Sequence, residues 1–241
     1  MSAATTPQLP APSAPARPRR KRRWLRWTVA GIAIVVVLIV GLVAVAVKMQ
    51  PTPARLALPA NASAPAGSVD GAYQVASGSL AGFRIQQTVI GLTSDLVGRT
   101  RDITGAVTIA GGQATTKGLR VGLLALTTGA AKPAPQFGIS LDTKRFPDAT
   151  VDLAQPVTLG PAFTSGSTVT VDAAGTLTLH GVTRPATVAL SVRRDGADID
   201  VAGSVPVSFA DYGLARPKGY GVFGSLADHG LAEFLLVLRR P

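Results

Sequence analysis

The chain has 241 residues, with 24 Lys and Arg, 13 Asp and Glu, two His and no Cys, giving a formal net charge of +11. That length allows one domain and a tail or at most two small domains, and the absence of cysteine excludes a disulfide framework, thiolate zinc sites and thiol nucleophiles. Residues 1–69 hold nine bases and no acid, which leaves 15 bases against 13 acids in residues 70–241. The high isoelectric point therefore belongs to the tail, and no nucleic-acid partner is expected.

Residues 1–16 are Ala, Pro, Ser and Thr with almost nothing to bury, a composition that stays disordered. A basic run follows, Arg17, Arg19, Arg20, Lys21, Arg22, Arg23 and Arg26, so residues 1–27 are expected to form a disordered basic cytoplasmic tail. Thr28 to Val47 carries no charged side chain and is rich in Val, Ile, Leu and Ala. As a helix it spans roughly 30 Å, the thickness of a bilayer's hydrocarbon core, and it is expected to be a transmembrane helix. Seven bases before it and only Lys48 immediately after it place the N-terminus in the cytoplasm and the rest of the chain outside. Trp24 and Trp27 sit where an interfacial anchor would lie. The competing reading is a signal peptide cleaved near Ala44-Val45-Ala46, but the apolar run is longer than a signal core of about 7–15 residues. Either way a single-pass cell-membrane protein or its released form exports the same C-terminal part. Residues 48–69, rich in Pro and Ala, are expected to be a tether reaching roughly 25 to 70 Å.

From Asp70 to Pro241 the pattern is one of short runs with a period of two. Phe83, Ile85 and Val89 alternate with polar residues, as do Ile103, Val107 and Ile109, then Leu119, Val121 and Leu123. Val169 and Val171, Leu177 and Leu179, Val188, Leu190 and Val192, Ile199, Val201, Val205 and Val207, and Leu231, Leu235 and Val237 repeat the pattern. Turn residues bound these runs, including Gly111-Gly112, Asp195-Gly196 and Asp228-His229-Gly230. This predicts an all-β domain of about eight antiparallel strands, as a sandwich or a closed barrel. Runs apolar on both faces, such as Leu235-Leu236-Val237-Leu238, together with only seven Phe and three Tyr in the chain, favour a barrel with an oily lumen, against the alternative of a fully packed aliphatic core.

Chemistry-bearing motifs are scarce. There is no Gly-x-Ser-x-Gly elbow, no HExxH, no phosphate-cradling glycine loop and no pair of His at ligand spacing, and Glu233 is the only glutamate. His180 and His229 read as turn residues. No enzymatic activity, metal or cofactor is expected.

Thr176-Leu177-Thr178-Leu179-His180-Gly181-Val182-Thr183-Arg184-Pro185 resembles the "LTIHGVT+P" segment of the YceI-like family, exported polyisoprenoid-binding proteins with a lipocalin-like antiparallel barrel. Val97-Gly98-Arg99-Thr100 with Ile103-Thr104-Gly105, Leu141-Asp142-Thr143 with Phe146-Pro147-Asp148-Ala149-Thr150, and Asp211-Tyr212-Gly213 are similar to further blocks of that family, in order, from about Tyr73 to Arg239. One departure stands out. The Arg-Asp pair usual a few residues before the Leu-Asp block is missing from Pro133-Ala134-Pro135-Gln136-Phe137, and with it any help that pair gives in holding an anionic head group.

The resemblance implies a membrane-anchored, extracytoplasmic, non-catalytic protein that holds an isoprenoid lipid, a quinone or a polyprenyl carrier, for transport, storage or sensing. The alternative is an envelope interaction module whose packed barrel binds a protein or cell-wall polymer through its loops. The inward set of the alternating strands, with aromatics near the loops, gives the expected lining: Phe83, Ile85, Val107, Val121, Leu123, Phe137, Phe146, Leu177 and Leu179.

Overall fold

The computed structural model describes residues 53–128, 132–133, 140–215 and 224–241, together with eight residues between Val29 and Val45. Those eight are helical and exposed. Among the described residues no helix is long and apolar enough to cross a membrane. The expected basic tail with Trp24 and Trp27, most of the apolar span and the start of the tether lie outside the described residues. Pro51–Pro241 is one unit, separate from Met1–Gln50.

The period-two pattern becomes a continuous antiparallel sheet. Its strands in chain order are β1 (Gly71–Val75), β2 (Leu80–Val89), β3 (Leu92–Thr100), β4 (Ile103–Ala110), β5 (Gln113–Gly122), β6 (Thr127–Thr128), β7 (Lys132–Pro133), β8 (Asp148–Leu153), β9 (Val157–Thr158), β10 (Val169–Leu179), β11 (Val182–Asp195), β12 (Asp198–Ser208), β13 (Gly224–Leu226) and β14 (His229–Arg239). One short helix, α1 (Gly160–Thr164), falls between β9 and β10. The order β1-β4-β5-β8-β10-β11-β12-β14 returns to β1 through Gln74–Arg239 and Val75–Leu238, closing an eight-stranded barrel. Closure removes the exposed edges that an open sheet of this length would present.

β2 takes up the other half of the edge of β14, with Leu80 to Arg84 against Leu235 to Leu231. Beyond that point β2 and β3 continue as a hairpin with β13 along β2, while β6 pairs with β3 lower down, at Gly98 and Arg99. We call this the upper end. At the lower end Phe163 of α1 and Tyr73 of β1 are 1% and 2% exposed, and the Tyr73 hydroxyl donates to Val69 O at 2.8 Å.

Residues 53–69 form neither helix nor strand, yet the barrel holds them at many points. The Leu56 amide donates to Glu233 Oε2 at 2.8 Å, and Arg84 and Arg99 donate to the Pro53 and Ala54 carbonyls. Arg193 donates to the carbonyls of Pro59 and Asn61, and the Ser63 amide donates to Asp195 Oδ1 at 2.6 Å. Arg194, 5% exposed, donates to the Ala66 and Gly67 carbonyls and to Thr164 O. A segment rich in Pro and Ala has few side chains to bury, so its carbonyls are fixed by arginines reaching out from the strands, and it runs as a strap from β14 to the foot of the barrel.

Candidate functional site

Strand pairing decides which side chains enter the lumen. Phe234 of β14 lies opposite Ala81 of β2 and Gly203 of β12, and Phe83 lies opposite Gly98 and Ala232. Large rings therefore alternate with small neighbours. A Cβ at Gly203 would collide with the Phe234 ring, and one at Gly98 with the Phe83 ring, so each glycine is needed where an aromatic lies flat against the wall.

The lumen is not filled. An upper chamber of about 120 Å³ is walled by Phe83, Ile85, Val121, Leu177, Val205 and Phe209, among others, and reaches Leu126, Leu141 and Leu214 at the loops of the upper end. A lower chamber of about 80 Å³ is bounded by Val107, Val157, Leu159, Val188, Ile199 and Leu238. Almost everything facing either space is hydrocarbon. Leu119, Val151 and Phe234 border both chambers. Leu119 and Val151 are cross-strand partners on β5 and β8, and β14 stands on the far side of the ring from them, so the three side chains form a waist.

Of the residues expected from sequence to line a site, Phe83, Ile85, Val121, Leu123, Leu177 and Leu179 all face the upper chamber, and Val107 faces the lower one. Phe137 lies outside the described residues. Phe146 lines neither chamber. Its ring packs edge-on against His180, with centroids 4.8 Å apart and the Arg145 guanidinium 5.2 Å from the ring centroid, over the space left by Gly181. A phenylalanine beside a loop reads as a guard of the mouth, but here it buttresses a turn.

That turn explains the chemistry of the His-Gly block. His180 and Gly181 have φ of 53° and 73°, the two left-handed residues of a tight hairpin between β10 and β11. Non-glycine residues rarely adopt this geometry. Here His180 Nδ1–H donates to Tyr212 O at 3.2 Å, tying the turn to the short 3-10 segment Ala210–Tyr212. Arg184 Nε adds a bond to Asp211 O at 3.1 Å. Burial and the neighbouring Asp211 push the Tyr212 phenol above its ordinary range. These groups fix loops at the upper end. His229 is exposed and bonded to Asp228 at 2.9 Å. Among the described residues no cluster of His, Asp or Glu could hold a metal.

Sequence reasoning did not pick out Phe234, Val205, Val207, Phe209, Leu141 or Leu214. Val205 and Val207 were within reach, because they alternate around Pro206 in a run already assigned to a strand. Phe234 was not, because it lies in a run apolar on both faces, where alternation carries no register.

Glu233 backs the upper chamber from outside. Its neighbour in sequence, Phe234, points into the lumen, while its own carboxylate turns outward under the strap, 2% exposed, and accepts from Arg84 Nε and from Arg99, each at 3.0 Å. Arg84, 7% exposed, also pairs with Asp95 at 2.9 Å. The charges therefore neutralise one another outside the wall, and the lumen remains apolar.

A polyisoprenoid binding domain from Saccharophagus degradans implicated in plant cell wall breakdown superposes with a TM-score of 0.54, at 22% identity over 71% of this chain and 99% of that one. BcnA of Burkholderia cenocepacia gives 16% identity over 64% of this chain and 95% of that one, with a TM-score of 0.45. No curated protein matches. The first likeness establishes a shared barrel fold, and the family model of the YceI-like domain matches residues 73–230, so the chain belongs to the YceI-like domain family.

Proposed function

We propose that this protein is a membrane-anchored, extracytoplasmic binding protein that takes the prenyl tail of an isoprenoid lipid, a quinone or polyprenyl carrier, into its barrel, without catalysing a reaction on it. The observation that carries this reading is the upper chamber: an apolar space bordered by loops, with the charges beside it paired on the outer side of the wall. Membership of the YceI-like family and the barrel shared with a polyisoprenoid binding domain support the same ligand class.

The energetics favour exchange over capture. Burying a prenyl chain releases about 0.8 kcal/mol per methylene-like carbon relative to water. A bilayer offers nearly the same, so transfer from membrane to barrel is close to neutral. The apolar stretch at residues 28–47, read as a single membrane span with its N-terminus cytoplasmic, would then keep the barrel at high effective concentration near its lipid source.

Lipid mass spectrometry on the full chain, purified from membranes and then offered prenyl quinones in vesicles, tests the reading. Co-purification or uptake of a prenyl lipid is expected. Absence of both would overturn it in favour of the interaction module.

A further inference from the structure

The waist of the lumen bears on which isoprenoids the barrel accepts, an inference that rests on the lipid-binding reading above. Leu119 and Val151 on one wall and Phe234 on the opposite one are the residues that border both chambers. The upper chamber holds about 120 Å³ as it stands. A dry apolar cavity of about 150 Å³ accommodates a guest the size of benzene. A long prenyl tail therefore outgrows the upper chamber and must continue into the lower one.

Phe234 is the adjustable member of the waist. Leu119 and Val151 are aliphatic cross-strand partners on β5 and β8, whereas the Phe234 ring lies across Gly203 with Ala81 on its other side. Small residues on both neighbouring strands leave the ring room to turn sideways along the wall. The lower chamber beyond it is bounded by aliphatic side chains and offers a prenyl tail a continuous hydrocarbon surface.

We propose that Phe234 is a depth stop that sets chain-length selectivity: short prenyl tails end in the upper chamber with the remainder at the loops of the upper end, and longer ones bury their full length only at the cost of displacing the ring. Truncating the ring joins the two chambers and shifts preference toward longer tails, with little effect on short ones.

The test uses the full chain, delipidated and offered all-trans prenols of three to nine isoprene units in phosphatidylcholine vesicles, with bound prenol measured by mass spectrometry. Phe234→Ala should raise the ratio of nine-unit to three-unit prenol bound by roughly tenfold over wild type, equivalent to about 1.4 kcal/mol. Should Phe234→Ala fail to fold by circular dichroism, Phe234→Leu keeps an apolar side chain of similar volume and should give a smaller shift in the same direction. An unchanged ratio in the folded variant overturns the depth stop while leaving lipid binding intact. Failure of the wild type to bind any prenol overturns the lipid-binding reading, and the depth stop with it.

Discussion

Arg84 and Glu233 meet Nε to Oε1 at 3.0 Å on the outer face of the barrel, with only 7% and 2% of their side chains exposed. Such a pair is conspicuous in a chain with a single glutamate. Glu233 receives three donors, from Arg84, Arg99 and the Leu56 amide, so its carboxylate both neutralises two arginines and fastens the strap. Removing one partner from a buried ion cluster strands the remaining charges, which costs about 3–5 kcal/mol. Glu233→Ala should therefore lower the unfolding free energy by about 3 kcal/mol, the lower part of that range, because Asp95 still partners Arg84. Urea denaturation of the full chain measures this, and limited proteolysis should show earlier cleavage around residues 53–56. A loss under about 1 kcal/mol would place the pair among ordinary surface salt bridges.

The strap should also respond to acid. The Ser63 amide donates to Asp195, holding that carboxyl below the usual carboxylate range, with Arg193 nearby contributing. A depressed carboxylate contributes stability above its ordinary pKa and loses it as the pH falls through the lower, folded value. Hydrogen exchange at Ser63 and Ala66 should thus be protected at neutral pH and lose protection, relative to the barrel strands, in the acid range. Asp195→Asn should show weak protection at both ends and a flat profile. A wild-type profile as flat as that of the variant would mean that Asp195 does not clamp the strap.

The opposite sign applies one strand away. Asp200 is 3% exposed, and one carboxylate oxygen has no hydrogen-bond partner. Its cross-strand neighbour Arg193 donates from Nη2 to the carbonyls of Pro59 and Asn61, while its buried Nε has no partner. Burial, followed by the nearby Asp195, pushes the Asp200 pKa up. A raised carboxylate contributes its full stability below its ordinary pKa and loses it as the pH climbs through the folded value. Asp200→Asn should consequently stabilise the protein at neutral pH by about 1 kcal/mol, the cost of a poorly satisfied buried polar group, and by less in acid. Thermal melts of both proteins across the pH range decide it. A variant less stable than wild type at neutral pH would mean that the carboxylate is usefully bonded.

The barrel was largely legible because most of its strands bury one face and expose the other. Ile103, Val107 and Ile109 became β4, and Ile199 to Val207 became β12. The two short runs at Val169 and Leu177 turned out to be one strand, since Ala173 and Gly175 fill the lumen-facing positions between them and break the apolar signal. β3 was harder to read, because its inward positions include Ser94 and Gly98, the latter small to make room for the Phe83 ring. The strap was unreadable for a different reason. Its contacts are backbone carbonyls bound by distant arginines, and no local pattern records them.

The His180-Gly181 turn gives a prediction about the family block itself. Gly181 has φ of 73° and lies beneath the Phe146 ring, so Gly181→Ala adds both backbone strain and a clash, at a cost of about 1–2 kcal/mol. His180→Gln retains an amide able to donate to Tyr212 O and should cost less than about 1 kcal/mol. If the block shapes the mouth and does not touch the ligand, His180→Gln leaves prenol uptake unchanged. Loss of uptake with the fold intact would make His180 a ligand contact.

Filling the upper chamber separates binding from folding most cleanly. Val121 lies between Ile103 and Ala149 on neighbouring strands and faces the chamber. Phenylalanine at this position would extend into space that is already empty, so the strain that usually follows enlargement of a core residue is relieved by the cavity, and stability should change by less than about 1.5 kcal/mol. The ring would occupy the volume a prenyl tail needs, leaving the outer wall, the strap and the mouth loops as they are. Val121→Phe should therefore retain the wild-type circular dichroism spectrum and urea midpoint while prenol uptake falls by roughly tenfold or more. A folded variant that takes up prenol normally would show that the tail lies elsewhere, on the outside of the barrel or among its loops, and the upper chamber would lose its role.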